Sequence, residues 1–317
     1  MTTFAGTAAD DRLTGSAGDD IFTGGGGNDL IDGGGGTDTA VFSGAFLDYR
    51  FSAQGTFLTA QDLRAGSPDG LDSFTNVERF QFSDRVVSTV PGAVNAVGTA
   101  WNNILRVAPT GAAAVYVNYL SDRVGEGASL GATVQDIVIG ARLTTSVASL
   151  AYEFFTGKVP TSGGFDYLIS PTGGNANNLN SPYYQSFNVE NRYINFAVNL
   201  GKLGEGRASF EAAYGALSPF EAARKAYTTI FGSSPTDAKL HEILDSRNDY
   251  FFAYGGDSLG TKAAVVGWLL AEAVKADVGV YARSNDAFLT DLADGAAYGV
   301  SIVGVYGANH PEYVYAG

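Results

Sequence analysis

The chain has 317 residues and a formal net charge of −14 at pH 7. So acidic a protein is not expected to bind nucleic acid, because phosphate binding needs a basic surface. The absence of cysteine excludes disulfides and thiolate chemistry. The longest apolar run, residues 263–271, is far too short to span a membrane. The length allows two or three domains with substantial cores.

Residues 6–41 repeat with a period of nine. The sixth position of each block is aspartate: Asp11, Asp20, Asp29 and Asp38. The eighth position is apolar: Leu13, Phe22, Ile31 and Ala40. The blocks resemble the calcium-binding nonapeptide Gly-Gly-x-Gly-x-Asp-x-apolar-x of the RTX secreted proteins. The alternative is a disordered linker rich in glycine and aspartate, which is disfavoured because all four blocks keep one register.

Calcium is the cofactor that this pattern predicts, because calcium prefers hard anionic oxygens and glycine permits tight turns with positive φ. Two blocks make one coil in the RTX roll. This resemblance implies that Asp11 pairs with Asp29 and Asp20 with Asp38, in about two sites. The backbone is expected to contribute at Gly15, Gly24, Gly26, Gly33 and Gly35. The first block departs most from the pattern, because Thr7 stands where a glycine is expected.

Residues 46–90 are predicted to form an antiparallel β cap of three or four strands, because short alternating apolar runs are separated by glycine-rich turns. Their end resembles the segment that follows many RTX rolls, and its expected role is to cover the open end of the roll. Three aspartates of this segment either bind another ion or act as turn residues: Asp62, Asp69 and Asp72. The turn reading is preferred.

Residues 91–99 are predicted to be a linker, and residues 100–317 an all-α domain. Helices are expected near 112–123, 129–139, 143–156, 183–201 and 283–294. Ser218 and Glu221 form a capping-box pattern, and Ser234-Pro235 is expected to start the next helix in the same way. An apolar helix over 262–275 is expected in the core. Residues 299–307 could form a strand. The predicted class is therefore multidomain, a short parallel β-roll (1–45) with its β cap followed by helices.

Two segments of the second domain resemble known surface proteins. Residues 151–170 are similar to a helical module of bacterial surface proteins. Residues 181–200, SPYYQSFNVENRYINFAVNL, are similar to the N-terminal anchoring domain of the RsaA-type surface-layer (S-layer) proteins. That domain binds the O-polysaccharide of lipopolysaccharide. The resemblance implies that this chain binds a cell-surface polysaccharide, the O-antigen, and that an S-layer protein is a possible further partner.

The candidate glycan-binding residues lie on the same segment: Tyr183, Tyr184, Asn188, Asn191, Arg192, Tyr193, Asn195 and Asn199. Asn188, Arg192, Asn195 and Asn199 are spaced 4, 3 and 4, so a helix would place them on one face. Amides both donate and accept hydrogen bonds, which suits sugar hydroxyls, and tyrosine rings can pack on a sugar ring. Two alternatives stay open: the amides bond to neighbouring loops of the domain, or the tyrosines pack in its core.

No enzymatic site is predicted. His241-Glu242 begins a zinc-protease motif, but Asp245 occupies the position of its second histidine. The predicted function is a calcium-binding protein of the extracellular cell surface, attached to polysaccharide and associated with an S-layer. It would be exported by the type I route, because a signal peptide is not evident. The alternatives are the targeting half of an RTX metalloprotease that lacks its zinc domain, and a self-assembling structural subunit. The chain could also be the C-terminal part of a longer protein.

Overall fold

The computed structural model describes residues 1–54, 57–92 and 95–295. The chain forms two compact units, the first made of residues 1–99 and 108–133 and the second of residues 100–107 and 134–317. The first is called the roll unit and the second the helical unit. Residues 299–307, predicted as a possible strand, lie outside the described residues.

The roll unit contains ten strands within the described residues. They are β1 (Thr2–Ala5), β2 (Arg12–Thr14), β3 (Asp20–Thr23), β4 (Leu30–Asp32), β5 (Thr39–Val41), β6 (Tyr49–Gln54), β7 (Phe57–Asp62), β8 (Leu71–Thr75), β9 (Arg79–Gln81) and β10 (Val86–Ser88). They form two sheets of five strands, in the orders β1-β3-β5-β9-β10 and β2-β4-β8-β7-β6. Successive repeat strands alternate between the sheets, so two blocks complete one coil, as the sequence predicts.

The repeat strands pair in parallel, and partner residues are two blocks apart. Thr2 pairs with Asp20 and Arg12 with Leu30. The apolar eighth positions of the later blocks, Phe22, Ile31 and Ala40, are almost completely buried. One inward side chain per short strand therefore builds the core of the roll.

Residues 46–90 continue the roll in addition to covering it. Strands β6, β7 and β8 pair antiparallel, as do β9 and β10. However, β8 pairs in parallel with β4, and β9 in parallel with β5. The prediction of three or four antiparallel strands is therefore too simple, because two of the five strands extend the parallel coil. The edges of β4 and β5 are thereby paired instead of exposed.

The roll unit also includes a helix, α2 (Ala112–Gly125). The ring of Tyr119 stacks on Phe46 with centroids 4.2 Å apart. The Asn118 amide donates to the carbonyl oxygens of Ser88 and Val90, at 2.8 Å each. The predicted linker ends in a helix, α1 (Ala96–Leu105). The predicted boundary between independently folding domains stays a prediction.

The remaining helices are α3 (Leu130–Gly140), α4 (Thr145–Thr156), α5 (Ser162–Ile169), α6 (Pro182–Gln185), α7 (Val189–Val198), α8 (Arg207–Tyr214), α9 (Pro219–Phe231), α10 (Asp237–Asp245), α11 (Asn248–Gly255), α12 (Ser258–Ala276) and α13 (Val280–Leu292). Helix α12, the apolar helix predicted for the core, is buried along most of its length and packs on α7, α9 and α11. A Cβ on its Gly267 would lie 2.6 Å from the carbonyl oxygen of Tyr193. Only glycine therefore permits this close approach of α12 to α7. None of the described helices is both long and apolar enough to cross a membrane.

Local signals set several helix ends. Ser218 and Glu221 form the predicted capping box of α9, and Gly232 ends this helix with φ of 76°. Helix α10 is capped by Thr236 and not by Ser234, so it starts two residues later than predicted. The helix predicted over 183–201 is divided into α6 and α7, because Asn188 caps the start of α7.

Candidate calcium sites and a surface patch

The predicted aspartate pairs lie side by side in the roll. The backbone N–H of Asp11 donates to Asp29 Oδ1 at 2.8 Å, and the N–H of Asp20 donates to Asp38 Oδ1 at 2.8 Å. Each carboxylate therefore bonds to the turn that precedes it by one coil. These series of stacked carboxylates are called the carboxylate ladders.

Both ladders continue beyond the repeats. The N–H of Asp29 donates to Asp72 Oδ1 at 2.9 Å, and the N–H of Asp38 donates to Glu78 Oε2 at 2.9 Å. The sequence favours Asp72 as a turn residue, and Glu78 is not among the predicted ligands. One signal was available for Asp72: Gly70-Leu71-Asp72 has the Gly-x-Asp spacing of the repeats.

The second carboxylate oxygens divide the repeats into two kinds. Asp11 Oδ2 accepts from the N–H and hydroxyl of Thr7, at 2.6 and 2.9 Å. Asp20 Oδ2 accepts in the same way from Ser16, at 2.7 Å each. By contrast, Oδ2 of Asp29 and of Asp38 is buried without a hydrogen-bond partner in the described part of the chain. The first two blocks satisfy their own carboxylates, whereas the last two leave an anionic oxygen that a cation could neutralise.

The second residue of each block accounts for this difference, because glycine has no side-chain hydroxyl to donate. Where Thr7 and Ser16 donate, the later blocks have Gly25 and Gly34, with φ of 99° and 88°. The carbonyl oxygens of Gly24 and Gly33 lie against Gly6 and Gly15 of the preceding coil, 2.1 and 2.0 Å from where a Cβ would stand.

The other two predicted glycines use their N–H groups between coils. Gly26 N–H donates to the carbonyl of Thr7, and Gly35 N–H to that of Ser16, both at 2.9 Å. Within the described residues, no three His, Asp or Glu side chains converge as a metal-binding group. A calcium ion held by two carboxylates would therefore take its remaining oxygens from backbone carbonyls and water.

The pKa shifts of the ladder carboxylates follow the same division between the blocks. Burial raises the pKa of Asp29 and of Asp38, with further increases from nearby carboxylates. Burial also raises the pKa of Asp72 to about 7. In Asp20, by contrast, the hydrogen bond from the Ser16 backbone leads the effects that lower the pKa to about 2. The carboxylates of Asp29 and Asp38, whose Oδ2 lacks a donor, are thus among those whose charge is costly, and calcium would remove that cost.

Two of the three aspartates in the β cap are engaged elsewhere. Arg64 pairs with Asp62 at 2.7 Å and with Asp69 at 3.3 Å. Asp69 also accepts from the hydroxyl groups of Tyr49 and Ser43, at 2.5 Å each. These contacts support the interpretation of both as structural residues of the turn, because both carboxylates already pair with one arginine.

The predicted glycan-binding residues separate into buried and surface groups. Tyr193 is fully buried and Arg192 is 6% exposed. The Arg192 guanidinium donates to the carbonyl oxygens of Leu143 and Phe187, at 2.9 and 3.1 Å. Asn188 caps α7 by accepting from the N–H of Asn191 at 2.8 Å. The stripe predicted for one helix face is therefore broken, because its arginine turns inward and its first amide serves as a cap.

Four of the predicted residues form one hydrogen-bonded network. Asn195 Nδ2 donates to the Tyr183 hydroxyl at 3.1 Å. Asn199 Nδ2 donates to Asn195 Oδ1 at 2.9 Å and to the Tyr184 hydroxyl at 3.3 Å. Tyr183 is 48% exposed, whereas the ring of Tyr184 is buried. The network therefore presents amides and one tyrosine ring to solvent.

Helix α11 adds two tyrosines that sequence reasoning missed. The Tyr250 hydroxyl lies 2.5 Å from Asn191 Oδ1 and 3.0 Å from Glu190 Oε1, and its one proton can be donated to either oxygen. The ring of Tyr254 meets that of Tyr250 edge-on at 5.3 Å. Their spacing of four on one helix was the available signal. The amide–tyrosine patch is defined here as Tyr183, Asn191, Asn195, Asn199, Tyr250 and Tyr254.

Comparison with protein-family models agrees with the two units. The model of the RTX calcium-binding nonapeptide repeat, in four copies, matches residues 5–40. The model of the RsaA N-terminal domain matches residues 144–316, which is more than half of the chain. The chain belongs to the RsaA N-terminal domain family. No curated protein matches it.

This RsaA-family chain is thus a calcium-binding repeat protein related to S-layer proteins, and the prediction of a β-roll followed by helices is confirmed. Neither family is enzymatic, and both are typical of proteins outside the cell or at its surface. His241, the start of the failed zinc motif, lies 3.2 Å from Asp245, and both side chains are exposed.

Proposed function

We propose that the helical unit of this chain attaches to cell-surface polysaccharide, the O-antigen of lipopolysaccharide, and that the calcium-bound roll accompanies it at the cell surface. Membership of the RsaA N-terminal domain family carries this proposal, since the anchoring domain that the sequence resembles binds such a glycan. The amide–tyrosine patch supplies the chemistry on a surface of this family region.

The patch can bind sugar hydroxyls without large rearrangement. Each amide has both donors and an acceptor, and the bonds among Asn195, Asn199 and Tyr183 use only part of this capacity. The half-exposed ring of Tyr183 offers a flat apolar surface to a sugar ring. Because Arg192 and Tyr193 are buried, ligand contacts would fall on the patch and not on these two residues.

The deciding experiment compares cells that have O-polysaccharide with cells that lack it. The full chain, loaded with calcium, should sediment only with cells that have the polysaccharide. Tyr183→Ala and Asn195→Ala should weaken this binding, whereas Tyr167→Ala should not. Tyr167 is a matched control, because it is a similarly exposed tyrosine of the same unit, on α5. Equal binding to both kinds of cell would exclude the glycan.

Export by the type I route belongs to the same proposal, because RTX proteins use it. The chain should reach the medium only from cells that possess a type I exporter, without cleavage of its N-terminus. Mass spectrometry of the secreted protein tests both points. Secretion that is independent of the exporter would contradict this part alone and leave glycan binding untouched.

A further inference from the structure

The turn Ser67–Asp72 takes the place of a further repeat turn, although its sequence is not a repeat. The bond from Asp29 N–H to Asp72 Oδ1 reproduces the bond from Asp11 N–H to Asp29 Oδ1. One position earlier, Leu71 N–H donates to Asn28 Oδ1 at 2.9 Å, as Asn28 N–H donates to Asp10 Oδ1 at 2.7 Å. The turn thus stacks on block 3 as block 3 stacks on block 1.

A cavity of about 300 Å³ adjoins these two turns. Gly24 and Gly25 of the third block line it, together with Pro68, Asp69 and Asp72. The remaining lining residues are Thr23, Val41, Phe42 and Ser43. Calcium takes six to eight oxygens at about 2.3–2.6 Å, so the cavity has room for an ion and several waters. Its walls include the backbone of a repeat turn, which is the kind of backbone that the RTX pattern provides for calcium.

A buried carboxylate, that of Asp72, lines this cavity. Asp72 is 4% exposed, and its Oδ1 accepts from Asp29 N–H. The unpartnered oxygen belongs to Asp29: its Oδ2 is buried without a hydrogen-bond partner in the described part of the chain, and it lies against Gly24, a lining residue of the cavity. Arg64, the cation of the neighbouring turn, is committed to Asp62 and Asp69. Asp29 and Asp72 are thus two buried carboxylates on stacked turns, and no ion pair to either is found among the described residues.

We propose that the turns Gly24–Asp29 and Ser67–Asp72 hold a calcium ion between Asp29 and Asp72, a site that lies partly outside the four repeats. The site would take a hard divalent cation with oxygen ligands. It would join the third block to a turn that the chain reaches only after β6 and β7. Calcium would thereby secure residues 46–90 to the roll as well as the repeats to each other.

Asp72→Asn is the central test, because asparagine keeps an oxygen for the Asp29 N–H and removes the charge. Native mass spectrometry at saturating calcium should find one ion fewer than in the wild-type chain, and calorimetric titration should find one site weakened roughly tenfold or more. Asp69→Asn is the matched control. It changes another aspartate of the same turn that also lines the cavity, but Arg64, Tyr49 and Ser43 already engage its oxygens, so the ion count should not change.

An unchanged ion count and unchanged affinities in Asp72→Asn would overturn the proposal. If this variant does not fold, crystals of the wild-type chain grown with terbium in place of calcium decide the matter. An anomalous peak within bonding distance of both Asp29 and Asp72 supports the site. Anomalous peaks at the repeat turns, without a peak between Asp29 and Asp72, would exclude the proposed site. Neither measurement involves glycan, so the result is independent of the proposed attachment to cells.

Discussion

The roll unit and the helical unit are stabilised by different interactions. The helical unit buries apolar side chains around α12, and its buried Arg192 is satisfied by backbone carbonyls. The roll unit has short repeat strands with one inward apolar residue each, and in the described residues its buried Asp29 and Asp38 each keep one oxygen, Oδ2, without a donor. We therefore expect the helical unit to be stable without a ligand and the roll unit to need a bound cation.

Removal of calcium should reveal the largest difference between the two units, because only the roll unit is expected to lose its structure. Chelator is expected to abolish the β signal and the melting transition of residues 6–90, while the helical transition stays in place. Each site that is filled at a hundredfold excess over its dissociation constant adds about 2.7 kcal/mol to the roll. Magnesium should restore little, because it demands a tighter octahedral shell. Circular dichroism during thermal melting measures both transitions, and a single transition that ignores chelator would refute the comparison.

The fragment of residues 100–317 should fold without calcium as a helical protein whose melting ignores chelator. Its weak point is α2, because Tyr119 packs on Phe46 and Asn118 bonds to Ser88, and the fragment lacks both of these partners. Limited proteolysis should therefore cut near residues 108–133 in the fragment but not in the calcium-loaded full chain. Equal protection in both would mean that α2 does not depend on the roll unit.

Asp38→Asn should weaken calcium binding more than Asp11→Asn. Asp38 Oδ2 is buried without a partner, whereas Asp11 Oδ2 already accepts two bonds from Thr7. A loss of roughly tenfold or more in affinity is expected for Asp38→Asn, with a smaller loss for Asp11→Asn. Calorimetric titration of both variants gives the comparison. Equal losses of calcium affinity in the two variants would show that the bonds from Thr7 to Asp11 Oδ2 do not take the place of a bound metal.

Gly267→Ala should destabilise the helical unit alone. The added Cβ would stand 2.6 Å from Tyr193 O and 2.7 Å from Ile194 Cα, so α12 and α7 must move apart at a cost of about 1–3 kcal/mol. Chemical denaturation should show the loss, with calcium binding unchanged. Gly163→Ala on α5 is the matched control, because nothing lies within 4 Å of its added Cβ. Alanine is also the better helix former, so the control should not lose stability. A loss of equal size in the control would show that the contact between α12 and α7 is not the cause.

Ser218→Ala should have the smallest effect, about 1 kcal/mol, through loss of the capping box of α9. Ser234→Ala should cost less, since Thr236 and not Ser234 caps α10. Both values come from denaturant titration of the helical transition. If the two substitutions lower the free energy of unfolding equally, the capping box of α9 does not contribute to stability beyond what a serine that caps no helix contributes.

Short-range patterns account for what could be predicted. The period of nine sets the coil, because two blocks bring strands into register and place Asp11 beside Asp29. The capping box of Ser218 predicts the start of α9, because its bonds join residues three apart. In each case the partners lie within one turn or one coil of the chain. Their spacing in the sequence is therefore enough to predict that they are in contact.

The candidate sites depended on longer-range contacts. Tyr250 reaches Asn191 from a different helix, and Arg192 turns inward because the carbonyl of Leu143 lies beneath it. Helical spacing alone placed Arg192 on the surface with the amides, since periodicity says which residues share a face but not which face a neighbouring helix covers.

By itself, the sequence determined the calcium repeat, the coil and the order of a β-roll followed by helices, because each follows from residues close together in the chain. Only the tertiary structure decided that Asp72 continues the ladder of Asp11 and Asp29. Asp29 and Asp72 are 43 residues apart, and β6 and β7 lie between them in the chain. The pairing of β8 with β4 brings them together, and a contact across such a distance depends on how the strands pack and not on their spacing.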